Sequence, residues 1–567
     1  MKKLLCKFIA LTALAGTLCG QAKRPNVVFL LSEDNSIHYL GLYGYKHGRT
    51  PAIEKLAAEG LTFNHAFSNA PVCSVARSTL ATAILAPRAG MQYHRKTAPA
   101  RLPEGVKPWS AILRANGYFC TNIRKTDYNF VSNIKALWNK PGSAKAPWRG
   151  RKGDNTPFFH MQSFGSSHES SLHFPAALME KEKTTTPENQ VKLHPYHPDT
   201  PTFRYTHARY FDRQTVIDGQ IGAVVENLRK DGLLEDTFVF YFGDHGGVLP
   251  RSKGYAYESG LHVPLVVRIP ENFRHLVDHK RGTRTDGFVS FIDFGPTVLH
   301  LAGIDVPKIL DGKPFLGKGI TAEDLAGRDE TFGYADRFDE KYDLVRTLRK
   351  GRFKYMRNYQ GFYPDSLHNF YRYKMLAFAE WRKLHKDGKL NAVQSQFFNR
   401  RPAEQLFDIQ KDPHEVNNLA DDPRHKDTLI DLRQRLTSKV KSINDLSFYP
   451  ESHMTREALG NGIGYGRKHA AEIARLVDIA DLGLLQFEKA KKGLSNAMQS
   501  ANPHERYWAC ITSAVHGKDA KDLVPQARKL LRDDNPMVRV RAAEFLGSIQ
   551  AHDPMPTLYG VVNTAET

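Results

Sequence analysis

The sequence predicts an α/β fold, a sheet sandwiched by helices, followed by a smaller antiparallel α+β subdomain and a helical tail. Three observations predict it. Pro25-Asn26-Val27-Val28-Phe29-Leu30-Leu31, Pro157 to Phe164 and Thr237 to Phe242 are apolar runs rich in β-branched and aromatic residues. Such runs form strands buried on both faces. Between the second and third, Tyr210 to Gly232 carries Ile217, Ile221, Val224, Val225 and Leu228 on one helical face. Each run also ends in polar residues able to do chemistry: Ser32-Glu33-Asp34-Asn35, Gly165-Ser166-Ser167-His168-Glu169 and Gly243-Asp244-His245-Gly246-Gly247. The carboxyl ends of strands are where open α/β sheets place ligands.

A chain of 567 residues is too long for one core, so two or three domains are expected. Hydrophobic residues at 41% and charged residues at 25% are ordinary for a water-soluble globular protein. Met1-Lys2-Lys3-Leu4-Leu5-Cys6-Lys7, the apolar run Phe8 to Leu18 and the exit Gly20-Gln21-Ala22 read as a secretory signal peptide over 1–22. The run is too short to span a membrane, no later run reaches that length, and Leu18 before Cys19 does not suit a lipoprotein site. The mature chain is expected to start near Lys23 and to be exported, periplasmic or secreted. Its remaining cysteines, Cys73, Cys120 and Cys510, are too few and scattered for a disulfide framework. The net charge of +20 lacks a clustered basic arm, which with the export signal argues against nucleic acid. An anionic substrate and a basic surface kept for solubility both explain it.

Taken in order, Thr50 to Gly60 reads as a capped amphipathic helix closed by glycine. Leu61-Thr62-Phe63-Asn64-His65-Ala66-Phe67 leads to Pro71-Val72-Cys73-Ser74-Val75-Ala76-Arg77, with a helix expected from Ser78 to Ala83. A thiol at a loop-to-helix entry with a cation one turn on has its thiolate favoured. The ordinary alternative is a buried core cysteine. His94 and Arg95 lie in a turn-rich stretch, either meeting substrate or solvated. Ile112 to Tyr118 ends a helix, a strand follows through Ile123, and Arg124-Lys125-Thr126-Asp127 comes after it. His160 reads as a satisfied core histidine. Leu172 to His207 reads as a long polar loop over the site.

The Cys73 stretch resembles the formylglycine signature Cys-x-Pro-x-Arg of the sulfatase family, with Val75 where the family has proline. The Thr-Pro…Leu-Ala…Gly…Phe…Ala-Phe…Cys cadence over 50–73, Gly243-Asp244-His245-Gly246 and Lys253…Tyr257-Glu258-Ser259-Gly260 are similar to the family as well. The resemblance runs from Pro25 to Leu419 and covers formylglycine-dependent type I sulfatases, exported bacterial glycan sulfatases and heparan N-sulfatase-like proteins. It implies an alkaline-phosphatase-like mixed sheet. It implies metal ligands at Glu33 (aspartate in the family), Asp34, Asp244, His245 and the modified Cys73, with Ca2+ as the divalent cation. It implies that Arg77 holds the formylglycine, that Lys125 and Lys253 neutralise sulfate oxygens, and that His168 or Lys253 protonates the leaving oxygen. Asp127 stands where the family has histidine. The implied partners are a sulfated carbohydrate and the maturation enzyme that oxidises Cys73 to formylglycine.

Further on, Val289 to Thr297 resembles a structural segment in which Asp293 is a helix cap. Leu344 to Leu348 and Phe353 to Arg357 read as a hairpin around Lys350-Gly351, with a strand at Glu404 to Asp408 and a turn and helix entry at Lys411 to Leu419. Arg337, Asp339 and Glu340, near Asp336, offer either sugar recognition or a loop salt-bridge set. Asn502-Pro503 to Ala509 recurs from Asn535, 33 residues on, which resembles HEAT repeats ended by Pro554-Met555-Pro556. The expected domains are 23–330 (catalytic), 331–450 (antiparallel subdomain) and 451–567 (tail). The implied reaction is hydrolysis of glycan sulfate esters, with sulfamates as a related case. In a formylglycine hydrate one hydroxyl takes up the sulfuryl group and the second expels it. A phosphodiesterase or phosphonate hydrolase of the same superfamily and a silent glycan-binding homologue remain as alternatives.

Overall fold

The computed structural model describes residues 23–564. The expected signal segment 1–22 lies outside these residues. The larger sheet holds β1 (Asn26–Ser32), β2 (Gly60–Phe67), β3 (Phe119–Ile123), β4 (Phe158–Phe164), β5 (Thr237–Gly243), β6 (His262–Arg268), β7 (Thr283–Thr285) and β8 (Val289–Ser290). Their spatial order is β3-β4-β1-β5-β6-β2-β7, with β8 beside β2. The first four run parallel. β6 is antiparallel to both its neighbours, so the sheet is mixed.

All seven residues of β1 are buried, because alternate side chains enter two different layers. Val27, Phe29 and Leu31 join Val75, Leu80, Trp109 and Phe294 on one face. Val28 and Leu30 join Ile53, Leu56, Ile217 and Ile221 on the other. Each such burial is worth about 1.5–3 kcal/mol. A one-residue slip would exchange the two sets, so the register of the site-bearing strand ends is strongly fixed.

Helix boundaries differ from the sequence reading in this part of the chain. The long helix starts at Pro201, not Tyr210, and runs to Lys230; the Thr200 side chain accepts from the Phe203 amide. Proline suits a helix's first turn, but the surrounding His, Pro and Thr residues hid that signal. The segment before it also holds a short helix, Ala176–Lys181. The early helix is Pro51–Ala58, and Gly60 opens β2 instead of closing the helix. Asp293 does cap the Phe291–Leu301 helix, in a capping box with Ser290.

The second sheet is antiparallel, with β9 (Glu330–Ala335), β10 (Val345–Lys350), β11 (Phe353–Asn358) and β12 (Glu404–Asp408) in the order β12-β11-β10-β9. The helix that covers it, Lys426–Ser442, starts later than the expected entry near 419; at that point Asp412 instead caps a turn through the Val416 and Asn417 amides. In the tail, Asn502 and Asn535 cap the Pro503–His516 and Pro536–Ser548 helices with the same backbone angles, φ −80 and ψ 118. The repeat is therefore one of geometry as well as of sequence. Pro554-Met555-Pro556 does not end the pattern: a further helix, Met555–Thr564, begins there. The tail shares the main hydrophobic core, and Trp508 Nε1 donates to the Phe448 carbonyl at 2.7 Å. Among the described residues no helix is long and apolar enough to cross a membrane.

Candidate active site

Because β1 lies between β4 and β5, the three polar strand ends converge. Asp34 is the hinge of the arrangement. It sits at φ 54, a left-handed conformation that an L-residue adopts at some cost and that clusters at functional sites. The surroundings hold it there. Its amide donates to Asp244 Oδ1 at 2.9 Å, its Oδ2 accepts from the Glu169 amide at 2.7 Å, and Tyr210 donates to its carbonyl. Glycine is required beside it: a Cβ on Gly243 would lie 2.3 Å from the Asn35 carbonyl oxygen, and one on Gly246 2.3 Å from that of Ser259.

Cys73 is the first residue of the Cys73–Thr82 helix. The helix thus starts five residues before the expected Ser78, which puts the thiol itself at the positive end. Its Sγ lies 3.3 Å from His245 Nε2 and 3.8 Å from Asp34 Oδ1. Burial would raise its pKa, but Lys253 and Lys125 outweigh burial and bring it down to about 6. Cys510 shows the contrast: burial pushes that thiol up to about 12. Cys120 is likewise pushed up by burial.

Arg77, one turn on, is buried and fully engaged. Its Nε donates to Asp244 Oδ2 and its Nη1 to Ser163 Oγ, both at 3.0 Å, and Nη2 lies 3.5 Å from Glu33 Oε1. Lys125 reaches Glu33 Oε2 at 3.1 Å. Lys253 donates to both oxygens of Asp34 at 2.9 Å. His245 Nε2 is 2.7 Å from Asp34 Oδ1. Burial opposes its protonation, but Asp244, Cys73 and Asp34 raise it to about 10. His168 is held by Ser170 Oγ at Nδ1, 3.0 Å away, which leaves Nε2 to carry a proton. Burial opposes that proton, and the nearby Asp34 carboxylate raises the pKa above its ordinary value.

Two sets of donor atoms each lie within 4.8 Å of one another: Asp34, Cys73 and His168, and Cys73, Asp244 and His245. Cys73 and Asp244 therefore meet at one centre. Glu33, expected among the ligands, belongs to neither set. Its longer side chain carries the carboxylate to Arg77 and Lys125 instead. The buried carboxylates Asp34 and Asp244 fit a hard divalent cation, while the His245 nitrogen suits a transition metal better.

The residues expected to meet sugar are linked to one another by contacts. His94 is buried, with Nδ1 2.8 Å from Ser74 Oγ and Nε2 3.8 Å from Asp339. Arg95 is exposed and lies 3.7 Å from Asp127, which is 3.9 Å from Lys125. Of the two readings offered for Arg337, sugar recognition and a loop salt-bridge set, the structure shows the second. The five N–H donors of Arg337 go to the Glu451 carboxylate and to the carbonyls of His94, Arg95 and Asp339. Arg337 is a clamp that ties the 94–95 loop to the start of the tail. Asp339 and Glu340 face Asn369 and Phe370: Asn369 Nδ2 is 3.4 Å from Asp339 Oδ2, and Glu340 Oε1 accepts from the Phe370 amide at 2.7 Å.

Glu451→Ala is expected to release this clamp. A half-buried, bidentate charge-assisted pair is worth about 2 kcal/mol of stability, so Tm should fall by about 4 °C, and kcat/KM should fall as the 94–95 loop loosens. Glu451→Gln should retain part of the activity. Unchanged kcat/KM in Glu451→Ala would show the clamp to be idle.

Sequence reasoning missed Glu169, Arg372, Ser163, Tyr210 and Glu451. Glu169 Oε2 lies 3.7 Å from Lys253 and Oε1 3.8 Å from Arg372. Both groups are buried and make no hydrogen bond through these charged atoms among the described residues. Glu169 was adjacent to His168 and in view; Arg372 had no local signal.

The sulfatase family model matches residues 25–139 and 149–304, that for the C-terminal part of N-sulphoglucosamine sulphohydrolase matches 243–372, and that for HEAT repeats matches 479–566. An ulvan-active sulfatase of Formosa agariphila is 34% identical over 78% of this chain and 78% of its own. The N-sulphoglucosamine sulphohydrolase of Homo sapiens is 25% identical over 74% of this chain and 90% of its own. A protein solved in complex with its substrate D-glucosamine-2-N,6-O-disulfate superposes with a TM-score of 0.53 at 16% identity, over 75% of this chain and 99% of that one. That last likeness concerns the fold.

Proposed function

The chain belongs to the sulfatase family, and from that premise we propose that it removes sulfate from sulfated glycans through a formylglycine made from Cys73 by a maturation enzyme. One observation supports this most. The Cys73 Sγ stands at a helix N-terminus, against His245 and Asp34, under the charges of Lys253 and Lys125. An anion bound at residue 73 meets helix amides and fixed cations without any reorganisation.

Sulfatases generally use Ca2+ and formylglycine. Asp34, Asp244 and His245 would hold the cation, which when bound offsets charge on a sulfate oxygen. Formylglycine at position 73, as its hydrate, would supply one hydroxyl to bond sulfur while the sugar oxygen departs, and a second whose deprotonation would release sulfate and restore the aldehyde. The chain's own residues do the rest. Arg77, braced by Asp244 and Ser163, orients the side chain at position 73. Lys125 and Lys253 balance charge on the sulfate oxygens. His168 gives its Nε2 proton to the departing sugar oxygen. Glu33 keeps Lys125 in place. We further propose export to the periplasm or medium, where sulfated polysaccharide is met; the charge of +20 would draw such a polyanion.

The test is release of inorganic sulfate from ulvan oligosaccharides and from D-glucosamine-2-N,6-O-disulfate, with a phosphodiester as control. Sulfate release well above any phosphodiester cleavage is expected. Preference for the phosphodiester would overturn the proposal.

A further inference from the structure

An exposed phenylalanine by itself means little, but Phe370, 76% exposed, is held in place on both sides. Glu340 accepts its amide at 2.7 Å. Asn369, buried, donates through Nδ2 to the Phe338 carbonyl at 3.3 Å, and its Oδ1 accepts the Arg372 amide at 3.0 Å. The loop therefore holds the ring from a fixed backbone, edge-on to His368 with centroids 4.9 Å apart, and leaves most of it in solvent. The two carboxylates that the sequence offered for sugar recognition, Asp339 and Glu340, serve this loop instead.

Its neighbours lead into the active site. The Tyr371 ring packs edge-on against His173, with centroids 4.6 Å apart. His173 follows directly on the Glu169–Leu172 turn, whose N-cap is His168. Arg372, the next residue, lies 3.8 Å from Glu169, which lies 3.7 Å from Lys253. The Tyr371 ring therefore lies against the residue that follows the His168 turn, and Phe370 is its neighbour in the chain.

We propose that Phe370 is a stacking platform for the pyranose ring next to the one that loses its sulfate, so that the site reads at least a disaccharide. The inference rests on the sulfatase reading above. A pyranose has an apolar C–H face, and aromatic rings supply large, rigid apolar area for such a face. Tyr371, closer in, lies beside the sulfate-bearing ring, and Phe370, one residue further out, takes its neighbour.

The experiment compares the wild type with Phe370→Ala and Phe370→Trp, full-length and metal-loaded. The probes are ulvan and heparin tetrasaccharides, D-glucosamine-2-N,6-O-disulfate and inorganic sulfate. For the tetrasaccharide turned over, Phe370→Ala should raise KM about tenfold with kcat nearly kept. Phe370→Trp should stay within about twofold of wild type. Inhibition by inorganic sulfate, and KM for the monosaccharide if it is a substrate, should be unchanged in both variants. Wild-type KM in Phe370→Ala on the tetrasaccharide, or an equal rise on the monosaccharide, would overturn the platform. Should the wild type release no sulfate, the sulfatase reading fails, and calorimetric titration of the same tetrasaccharides still decides the platform. Binding weakened by Phe370→Ala supports it; equal binding, or none to the wild type, overturns it.

Discussion

Cys73→Ser is expected to lose glycan sulfatase activity by about 10^4-fold or more in a host that oxidises only cysteine, the scale seen when a nucleophile is removed. The change is nearly isosteric at a buried position, so Tm and oligosaccharide binding should stay close to wild type. The loss is chemical. Serine has one hydroxyl; it can accept a sulfuryl group but has no second hydroxyl with which to expel it. Arg77, Lys125, Lys253 and His168 remain in place in this variant, so retained binding with lost turnover separates the nucleophile from the cations around it. Appreciable turnover by Cys73→Ser would contradict the role given to residue 73.

Arg346→Ala is expected to cost about 3–5 kcal/mol of stability, the range for breaking a buried ion pair by deleting one partner. Arg346 is wholly buried and bridges two buried carboxylates. Its Nη2 lies 3.0 Å from Asp336 Oδ1, its Nε donates to Asp445 Oδ2 at 2.7 Å, and a further bond goes to Ser447. The triad ties the second sheet to the segment that leads into the tail. For a chain of this size Tm should fall by several degrees, at roughly 2 °C per kcal/mol. The pH dependence has a definite sign. Burial raises Asp336 to about 6 against the lowering effect of Arg346, so the native state holds its proton more tightly than the unfolded chain does. That contribution to stability is present below the ordinary aspartate range and is lost as pH rises through about 6. Removing Arg346 pushes Asp336 higher still, so the variant's deficit should be smaller at pH 5 than at pH 8. Thermal melts at both pH values check this; a deficit independent of pH would show that the lost guanidinium was not compensating the carboxylates.

What could be read in the sequence was whatever is local. β1 and β5 are unbroken apolar runs; Asp34, Asp244 and His245 stand just after them and His168 after β4, and it was the resemblance to the sulfatase family that gave these residues their expected roles. Cys73 and Arg77 were legible as a thiol and a cation one turn apart. The missed features depend on distance or on conformation. The left-handed backbone of Asp34 leaves no mark in residue type, since aspartate is common after strands. The clamp between Arg337 and Glu451 joins residues far apart in the chain, so neither announces the other. Glu33 stands where the resemblance implies a ligand, and its carboxylate pairs with Lys125 and Arg77; strand-end position alone does not fix where a side chain points. Thr200-Pro201 fell inside a segment read as loop and Pro554-Met555-Pro556 was read as the end of the repeats, where proline was marking a helix's first turn.

The central claim is that residue 73 acts as formylglycine despite Val75 in the position where the family has proline. The most direct measurement is the mass of the peptide containing residue 73, made on several preparations whose specific activities on the same sulfated oligosaccharide are also recorded. The aldehyde is lighter than the thiol by about 18 Da, a difference set by the oxidation of cysteine. Specific activity is expected to rise in proportion to the aldehyde fraction and to extrapolate to near zero for the pure thiol. Full activity in a preparation whose residue 73 is wholly thiol would contradict the account.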